Sequence, residues 1–269
     1  IRECVDSGRN AVFFSATLLP VNYYKELLTG DINEPAIYVN SPFDVNKRLL
    51  VIGNDVTSRY TRRNTDEFTK VKEYILRITG SRKGNYLVFF PSYKYMESVY
   101  ELFYGEKVRV IIQNNNMSEK DREEFLAEFE NNGNDVLLGF CVLGGLFSEG
   151  IDLKKDSLIG SIIVGTGLPS ISTENSILKT FYDERENKGY EYAYVYPGMN
   201  KVLQAAGRVI RTDEDTGVIA LLDDRFLWER YVSLFPKEWK NYHIVNIENV
   251  NEEILDFWRD VIYNTTESV

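Results

Sequence analysis

The stretch Gln204-Ala-Ala-Gly-Arg-Val-Ile-Arg211 is followed by an acidic turn and by the apolar run Gly217-Val-Ile-Ala-Leu-Leu222. If residues 201–211 form a helix, the side chains at offsets 0, 3, 4 and 7 line one polar face, namely those of Gln204, Gly207, Arg208 and Arg211. Arginine keeps its charge and offers a planar fork of donors that suits phosphate. This face is therefore a candidate polyphosphate site, and an ordinary solvated helix face is the alternative.

Glycine at position 207 would lie inside the predicted helix, where it costs about 1 kcal/mol relative to alanine. Such a cost indicates a packing reason or close approach of a ligand. The pattern Q-x-x-G-R-x-x-R resembles motif VI of superfamily 2 helicases, and the isoleucine before the last arginine resembles the XPD/DinG branch. The resemblance implies that Arg211 stabilises the transition state of ATP hydrolysis. It also implies that Arg208 and Gln204 bind phosphate and organise the attacking water, with Gly207 beside the nucleotide.

Composition limits the class of protein. At 269 residues and 43% apolar, the chain can bury a large core. A net charge of -10 argues against a protein that coats DNA by bulk electrostatics, but it allows a narrow strand-binding groove built from local basic patches. The cysteines, Cys4 and Cys141, are widely separated, so the sequence predicts no disulfide framework and no metal ligand set.

The same features predict a cytoplasmic protein, because unpaired cysteines are typical of a reducing compartment. No window of the sequence has the 18 or so uncharged apolar residues of a membrane span, so no membrane partner is expected. The first residues, Ile1-Arg-Glu-Cys, contain neither an initiator methionine nor the apolar core of a signal peptide. We therefore expect a fragment or a processed chain.

The first apolar run, Ala11–Phe14, has the composition of a buried strand and ends in Ser15-Ala16-Thr17. Taken alone, this string is an ordinary strand-to-helix connection. Together with the other motifs it resembles the S-A-T form of helicase motif III, which closes the first motor domain of that family. We expect residues 1–30 to be a remnant of a first motor domain or a connecting segment, and residues 31–269 to form the C-terminal helicase domain.

A second motif follows the apolar strand predicted at 84–90, where Pro91 precedes Ser92 and Tyr93. Ligands gather outside the carboxyl ends of strands in open α/β sheets, so these side chains are placed for contact. The alternative is a serine that caps a helix and a tyrosine that packs. The string F-F-P-S-Y resembles motif IV of the XPD/DinG branch, which implies contact of Ser92 and Tyr93 with nucleic acid.

A third motif, Phe147-Ser-Glu-Gly-Ile-Asp-Leu153, follows a strand predicted at 135–140. Its glycine lets the backbone approach a ligand, and its carboxylates can order arginines or accept from a ribose hydroxyl. A glycine-rich turn with incidental acids is the alternative. The string resembles motif V of the same branch. The resemblance implies that Glu149, Gly150 and Asp152 bind the nucleotide and that Ser148 contacts the nucleic-acid strand.

The polar segment 53–65 contains several basic residues, among them Arg62 and Arg63. A charged loop is usually only solvated. In the resembled family a comparable insertion lies near the nucleic-acid path, so we predict that Arg62 and Arg63 contact phosphates.

Apolar strands alternate with helices along the chain, which predicts a parallel sheet covered by helices on both faces. The predicted fold is α/β, the RecA-like sheet of a second helicase motor domain. The sequence has no G-x-x-x-x-G-K-[ST] and no strand that ends in an Asp-Glu pair, so it lacks a P-loop and a Walker B carboxylate. The resemblance implies that ATP and Mg²⁺ are bound mainly by a first motor domain of the same parent chain.

Single-stranded DNA is the partner that the resemblance implies, and this chain alone is expected not to hydrolyse ATP. Two alternatives are open. The first is a non-catalytic α/β module that binds nucleic acid or docks a partner. The second is an α/β transferase for a phosphorylated metabolite, which the ordered occurrence of motifs IV, V and VI disfavours.

Overall fold

The computed structural model describes residues 2–130, 135–148 and 157–266. Within them lies one sheet of parallel strands in the spatial order β3-β4-β2-β5-β6-β1-β7. The strands are β1 Arg48–Gly53, β2 Gly84–Phe90, β3 Arg109–Ile112, β4 Val136–Val142, β5 Gly160–Val164, β6 Gly217–Leu222 and β7 Tyr242–Val245. Parallel strands need crossover connections, and the helices supply them.

The helices within these ranges are α1 Arg2–Ser7, α2 Val21–Thr29, α3 Thr65–Thr79, α4 Tyr93–Tyr100, α5 Glu119–Glu130, α6 Thr173–Glu186, α7 Tyr196–Ala206, α8 Glu229–Val232 and α9 Val250–Thr266. One face of the sheet packs against α5, α7 and α8 in a core that includes Leu50 and Ile52. The other face packs against α3, α4 and α9 in a core that includes Leu49 and Val51. Alternate residues of β1 thus point into opposite cores, which confirms the predicted two-sided α/β fold.

Most predicted elements are present, with end points that differ by a few residues. The segment after β6 differs more, because it contains the edge strand β7, which the sequence did not predict. The aromatic stretch before α7 forms a π-helical turn over Glu191–Val195.

The strand predicted at Ala11–Phe14 is wrong. Residues 10–15 form no regular secondary structure and pair with none of the described strands, and Val12 and Phe14 are 84% and 90% exposed. An apolar run becomes a strand only where a neighbouring backbone can satisfy its N–H and C=O groups. The described part of the chain places no strand beside it.

The helix predicted through residue 211 is also wrong, because α7 ends at Ala206 and Gly207 caps it. Gly207 has φ -66° and ψ 0°, a conformation open to any residue, so its predicted mid-helix cost does not arise. Arg208 and Arg211 lie in the turn that follows.

Helix α2 is anchored on the domain by tyrosines. The ring of Tyr23 meets those of Tyr192 and Tyr196 edge to face, each at a centroid separation of 5.1 Å. The hydroxyl of Tyr192 donates to Glu26 at 2.5 Å. Together these contacts fix α2 against α7 and the π-helical turn.

Among the described residues, none of the helices is both long and apolar enough to cross a membrane.

Candidate functional site

The turn after α7 holds the arginines of the first predicted site. The Nε of Arg208 donates to the carbonyl oxygen of Gln204 at 3.3 Å, which satisfies one of the carbonyls left open where the helix ends. This bond folds Arg208 back along the last turn of α7. Gln204, Arg208 and Arg211 are all partly exposed, and they lie in the last turn of α7 or in the segment that follows it.

A buried carboxylate fixes the backbone of Arg211. Oδ2 of Asp215 accepts the backbone N–H groups of Arg211 at 2.8 Å and Thr212 at 2.7 Å. Only 6% of Asp215 is exposed, and its Oδ1 is buried without a hydrogen-bond partner. None of the sequence motifs includes Asp215, but a carboxylate three or four residues after the N–H groups of a turn is typical of such a clamp.

The turn after β4 carries the described part of the third motif. Ser148 is fully buried, and its hydroxyl accepts from the backbone N–H of Gly144 at 2.9 Å. Its predicted contact with nucleic acid is therefore not a direct one in this conformation. Gly144 has φ +72° and lies against the methylenes of Lys201 on α7, whose pKa is lowered by burial. Glu149, Gly150 and Asp152 lie outside the described residues.

In the turn after β2, both predicted side chains of the second motif make structural contacts. Ser92 caps α4, and its hydroxyl accepts from the backbone N–H of Tyr95 at 3.3 Å. The hydroxyl of Tyr93 accepts from Nε2 of Gln113 at 2.8 Å, and Oε1 of Gln113 accepts from Val142 N at 3.0 Å. The pKa of Tyr93 is raised, chiefly by burial. Both predicted residues stay partly exposed.

The loop after β1 carries the predicted phosphate-binding arginines. Arg62 donates to the buried carboxylate of Glu67 at 3.0 Å, and Glu67 also accepts from Thr57 N at 2.7 Å. Arg63 donates from Nε to the carbonyl oxygen of Ser58 at 3.1 Å. These bonds hold the loop in one shape, and they leave 59% of the Arg62 side chain exposed.

A buried ion pair lies where β1 and β6 end. Asp223 is fully buried and accepts from Arg225 Nε at 2.8 Å and from both N–H and O–H of Ser58 at 2.8 Å. Burial alone would raise the pKa of Asp223, but the hydrogen bonds and charge of Arg225 and the bonds from Ser58 outweigh it and lower the pKa below its usual value. The sequence shows Asp223 and Arg225 as a D-x-R string directly after the apolar run 217–222. It does not show their partner Ser58, which lies 165 positions earlier in the chain.

The predicted residues fall into two groups, one at the amino ends of the strands and one at their carboxyl ends. Helix α7 starts beside the carboxyl end of β5, where a Cβ on Gly167 would come within 2.6 Å of the Gly198 carbonyl oxygen. It ends beside the start of β5, where Ser161 donates to the Ala205 carbonyl oxygen at 3.1 Å. The arginines after α7 therefore lie near the amino ends of the strands. The other described candidates, Ser92, Tyr93, Ser148, Arg62 and Arg63, lie near the carboxyl ends.

The donor set after α7 suits a polyphosphate, because it combines two guanidinium groups with the amide of Gln204. No group of three or more metal-ligating side chains occurs among residues 2–130, 135–148 and 157–266.

Comparison with known proteins gives concordant matches. The profile of the helicase C-terminal domain family matches residues 75–242. The chain is 30% identical over 236 residues to the ATP-dependent DNA helicase XPD of Sulfolobus acidocaldarius, covering 82% of this chain and 40% of that protein. It is 27% identical over 251 residues to the 3'-5' exonuclease DinG of Staphylococcus aureus, covering 90% of this chain and 26% of that protein.

A solved structure entitled XPD helicase has a TM-score of 0.66 to this fold at 27% identity, and the match covers 86% of this chain and 42% of that one. The chain thus spans less than half the length of each of these three proteins.

Proposed function

Because this chain belongs to the helicase C-terminal domain family, we propose that it is the second, C-terminal motor domain of an ATP-dependent DNA helicase. The observation that carries the proposal is the turn after α7, where the backbone of Arg211 is clamped by the buried carboxylate of Asp215. A fixed backbone at Arg211 limits the positions that its side chain can reach from the turn after α7. Such preorganisation is what electrostatic catalysis of phosphoryl transfer requires.

In this proposal Arg211 acts on ATP that is held mainly, together with Mg²⁺, by the first motor domain of the parent protein. Bound ATP supplies the phosphoryl group that hydrolysis transfers to water. Arg211 stabilises the charge that develops on that group, an effect worth about 10³ to 10⁵ in rate for an arginine supplied across an interface. Arg208 and Gln204 bind phosphate and orient the water, and Gly207 lets the backbone come close.

The candidates at the carboxyl ends of the strands would hold single-stranded DNA. Arg62 offers an exposed guanidinium whose position is set by Glu67, while Arg63, Ser92 and Tyr93 line the neighbouring surface. Ser148 would act through the turn that its hydroxyl holds together. Closing and opening of the two motor domains with ATP hydrolysis would then move the domains along the strand.

We assign residues 1–30 to the connection with the first motor domain. The packing of Tyr23 against Tyr192 and Tyr196 supports a connecting role, because it anchors α2 on the second domain. The exposed apolar side chains of Val12 and Phe14 fit a segment that completes its packing elsewhere.

The experiment is ATP hydrolysis by the parent protein, with and without single-stranded DNA, for the wild type, Arg211→Ala and Arg259→Ala. Arg259 is a matched control, because it is an exposed arginine that pairs with Asp256 in the same helix, α9. We expect DNA-stimulated hydrolysis that falls by at least about 10³-fold in Arg211→Ala and is unchanged in Arg259→Ala. The 269-residue chain alone should show no hydrolysis.

A parent protein that binds DNA but never hydrolyses ATP would favour the non-catalytic module. Equal rates for Arg211→Ala and Arg259→Ala would remove the proposed role of Arg211.

A further inference from the structure

We propose that bases of single-stranded DNA stack on Tyr60 and Trp228, two exposed rings that are each backed by an arginine. We call Arg59, Tyr60, Arg63 and Trp228 the aromatic–arginine surface. The inference rests on the proposed function, and it assigns the contact with the DNA strand to rings that none of the motifs contains. The aromatic–arginine surface lies beside the carboxyl ends of β1 and β6.

Tyr60 is the more exposed of the two rings. It opens the 3₁₀ turn Tyr60–Arg62, and 84% of it is exposed. The guanidinium carbon of Arg63 lies 5.6 Å from the Tyr60 ring centroid and 5.3 Å from that of Tyr95. Because Arg63 is itself held by the Ser58 carbonyl oxygen, it backs one face of Tyr60 from a fixed position and leaves the ring accessible.

Trp228 repeats the arrangement from the segment after β6. The guanidinium carbon of Arg59 lies 5.1 Å from the centroid of the Trp228 ring, and Arg59 also pairs with Asp224. Trp228 is 45% exposed, whereas Trp239 and Trp258 are buried. Arg59, which contacts Trp228, is the chain neighbour of Tyr60, so we place both rings on one surface.

The chemistry of this surface favours a nucleic-acid strand. Every base offers a π face, and stacking on an aromatic side chain contributes about 1 to 3 kcal/mol per base without sequence preference. A guanidinium against the far side of each ring restricts its rotation, so less conformational entropy is lost when a base stacks. The exposed guanidinium of Arg62 follows in the same turn and offers a phosphate contact, so the surface combines rings for bases with a cation for the backbone.

Buried hydrogen bonds hold the segments that carry the aromatic–arginine surface. Ser58 precedes Arg59, and its N–H and O–H both bind the fully buried Asp223, which pairs with Arg225 in the segment that leads to Trp228. One buried ion pair therefore fixes both halves of the surface relative to each other. A preorganised surface of this kind binds more tightly than two rings on independent loops.

The test measures binding of the 269-residue chain to a fluorescent oligo-dT strand by anisotropy, beside an abasic strand with the same number of phosphates. The variants are Tyr60→Ala, Tyr60→Phe, Trp228→Ala and the control Tyr104→Ala. Tyr104 is 98% exposed and lies far along the chain, after α4. We expect Tyr60→Ala and Trp228→Ala each to weaken oligo-dT binding by about 5- to 150-fold, with Tyr60→Phe and Tyr104→Ala unchanged.

Abasic-strand affinity should not change in any variant, because the rings contact bases rather than phosphates. Oligo-dT should also quench the tryptophan fluorescence of the wild type but not of Trp228→Phe, because the remaining tryptophans are buried. If the wild type binds oligo-dT and neither alanine variant binds it more weakly, stacking of bases on these rings is refuted, although DNA binding by the chain stands. Docking of a protein domain on the rings is then favoured. If the wild type does not bind oligo-dT, both this inference and the strand-binding part of the proposed function are overturned, whereas the test of Arg211 is unaffected.

Discussion

Replacing Asp215 should both destabilise the chain and disable Arg211, because one carboxylate oxygen holds the N–H groups of Arg211 and Thr212 at 2.8 and 2.7 Å. A hydrogen bond to a charged acceptor contributes about 1.5 to 3 kcal/mol. Asp215→Ala loses two such bonds, but it also removes an Oδ1 that is buried without a hydrogen-bond partner, and this relief offsets part of the loss. We expect the free energy of unfolding to fall by about 2 to 3 kcal/mol.

The functional loss should be larger than the loss of stability suggests. A displacement of about 1 Å at a catalytic group costs about 10²-fold in rate. We therefore expect ATP hydrolysis by the parent protein to fall about 100-fold in Asp215→Ala, at a temperature where the variant is still folded. Asp215→Asn keeps one acceptor oxygen, so it should lose less in both assays.

Asp213→Ala is the matched control, because Asp213 is an exposed acid in the same loop. Urea unfolding followed by circular dichroism measures stability, and steady-state hydrolysis measures function. Equal stability of Asp215→Ala and Asp213→Ala would refute the clamp. A destabilised Asp215→Ala variant that hydrolyses ATP at the wild-type rate would show that Arg211 does not depend on it.

Two predictions concern the carboxyl ends of the strands. The pKa of Asp223 is lower in the folded chain than the usual value of about 3.9 in an unfolded one, so its stabilising contribution is present above about pH 4 and is lost as the pH falls through the lower, folded-state pKa. In Asp223→Asn, the free energy of unfolding measured with urea should therefore fall less steeply as the pH is lowered below about 4. The same steepness in the variant and the wild type would contradict this linkage. Gly165 has φ +84°, and a Cβ there would lie 2.3 Å from Ser58 Oγ, so Gly165→Ala should cost about 2 to 4 kcal/mol. Gly105→Ala should cost only about 1 kcal/mol, because Gly105 has φ +89° with no atom near its Cβ position, and equal costs for the two variants would show that Ser58 does not crowd Gly165.

The sequence predicted the sheet well because its signals are local. A strand buried on both faces is apolar throughout, as in Phe89 and Phe90 of β2, and glycine or proline marks its ends. The same reasoning failed at Ala11–Phe14, where composition indicates a strand but pairing decides whether one forms. It failed again after Ala206, where helical spacing continues although the helix has ended.

The candidate site shows the same division. The motif strings located the segments, and in the structure Arg208 and Arg211 are both in the segment that follows α7. The strings did not show that the arginines lie at the amino ends of the β-strands while the predicted nucleic-acid contacts lie at the carboxyl ends. That separation follows from the direction in which α7 runs past β5, which the contacts of Ser161 and Gly198 show.

The sequence by itself thus determined the parallel α/β architecture and the helicase resemblance, because apolar pattern and motif spacing are properties of short segments. Only the tertiary structure decided which side chains act together. Asp223 binds Ser58 across 165 positions of the chain, and Arg59 meets Trp228 in the same region. Such pairs are fixed by the order of strands in the sheet, since β6 lies beside β1 although the chain visits four other strands between them.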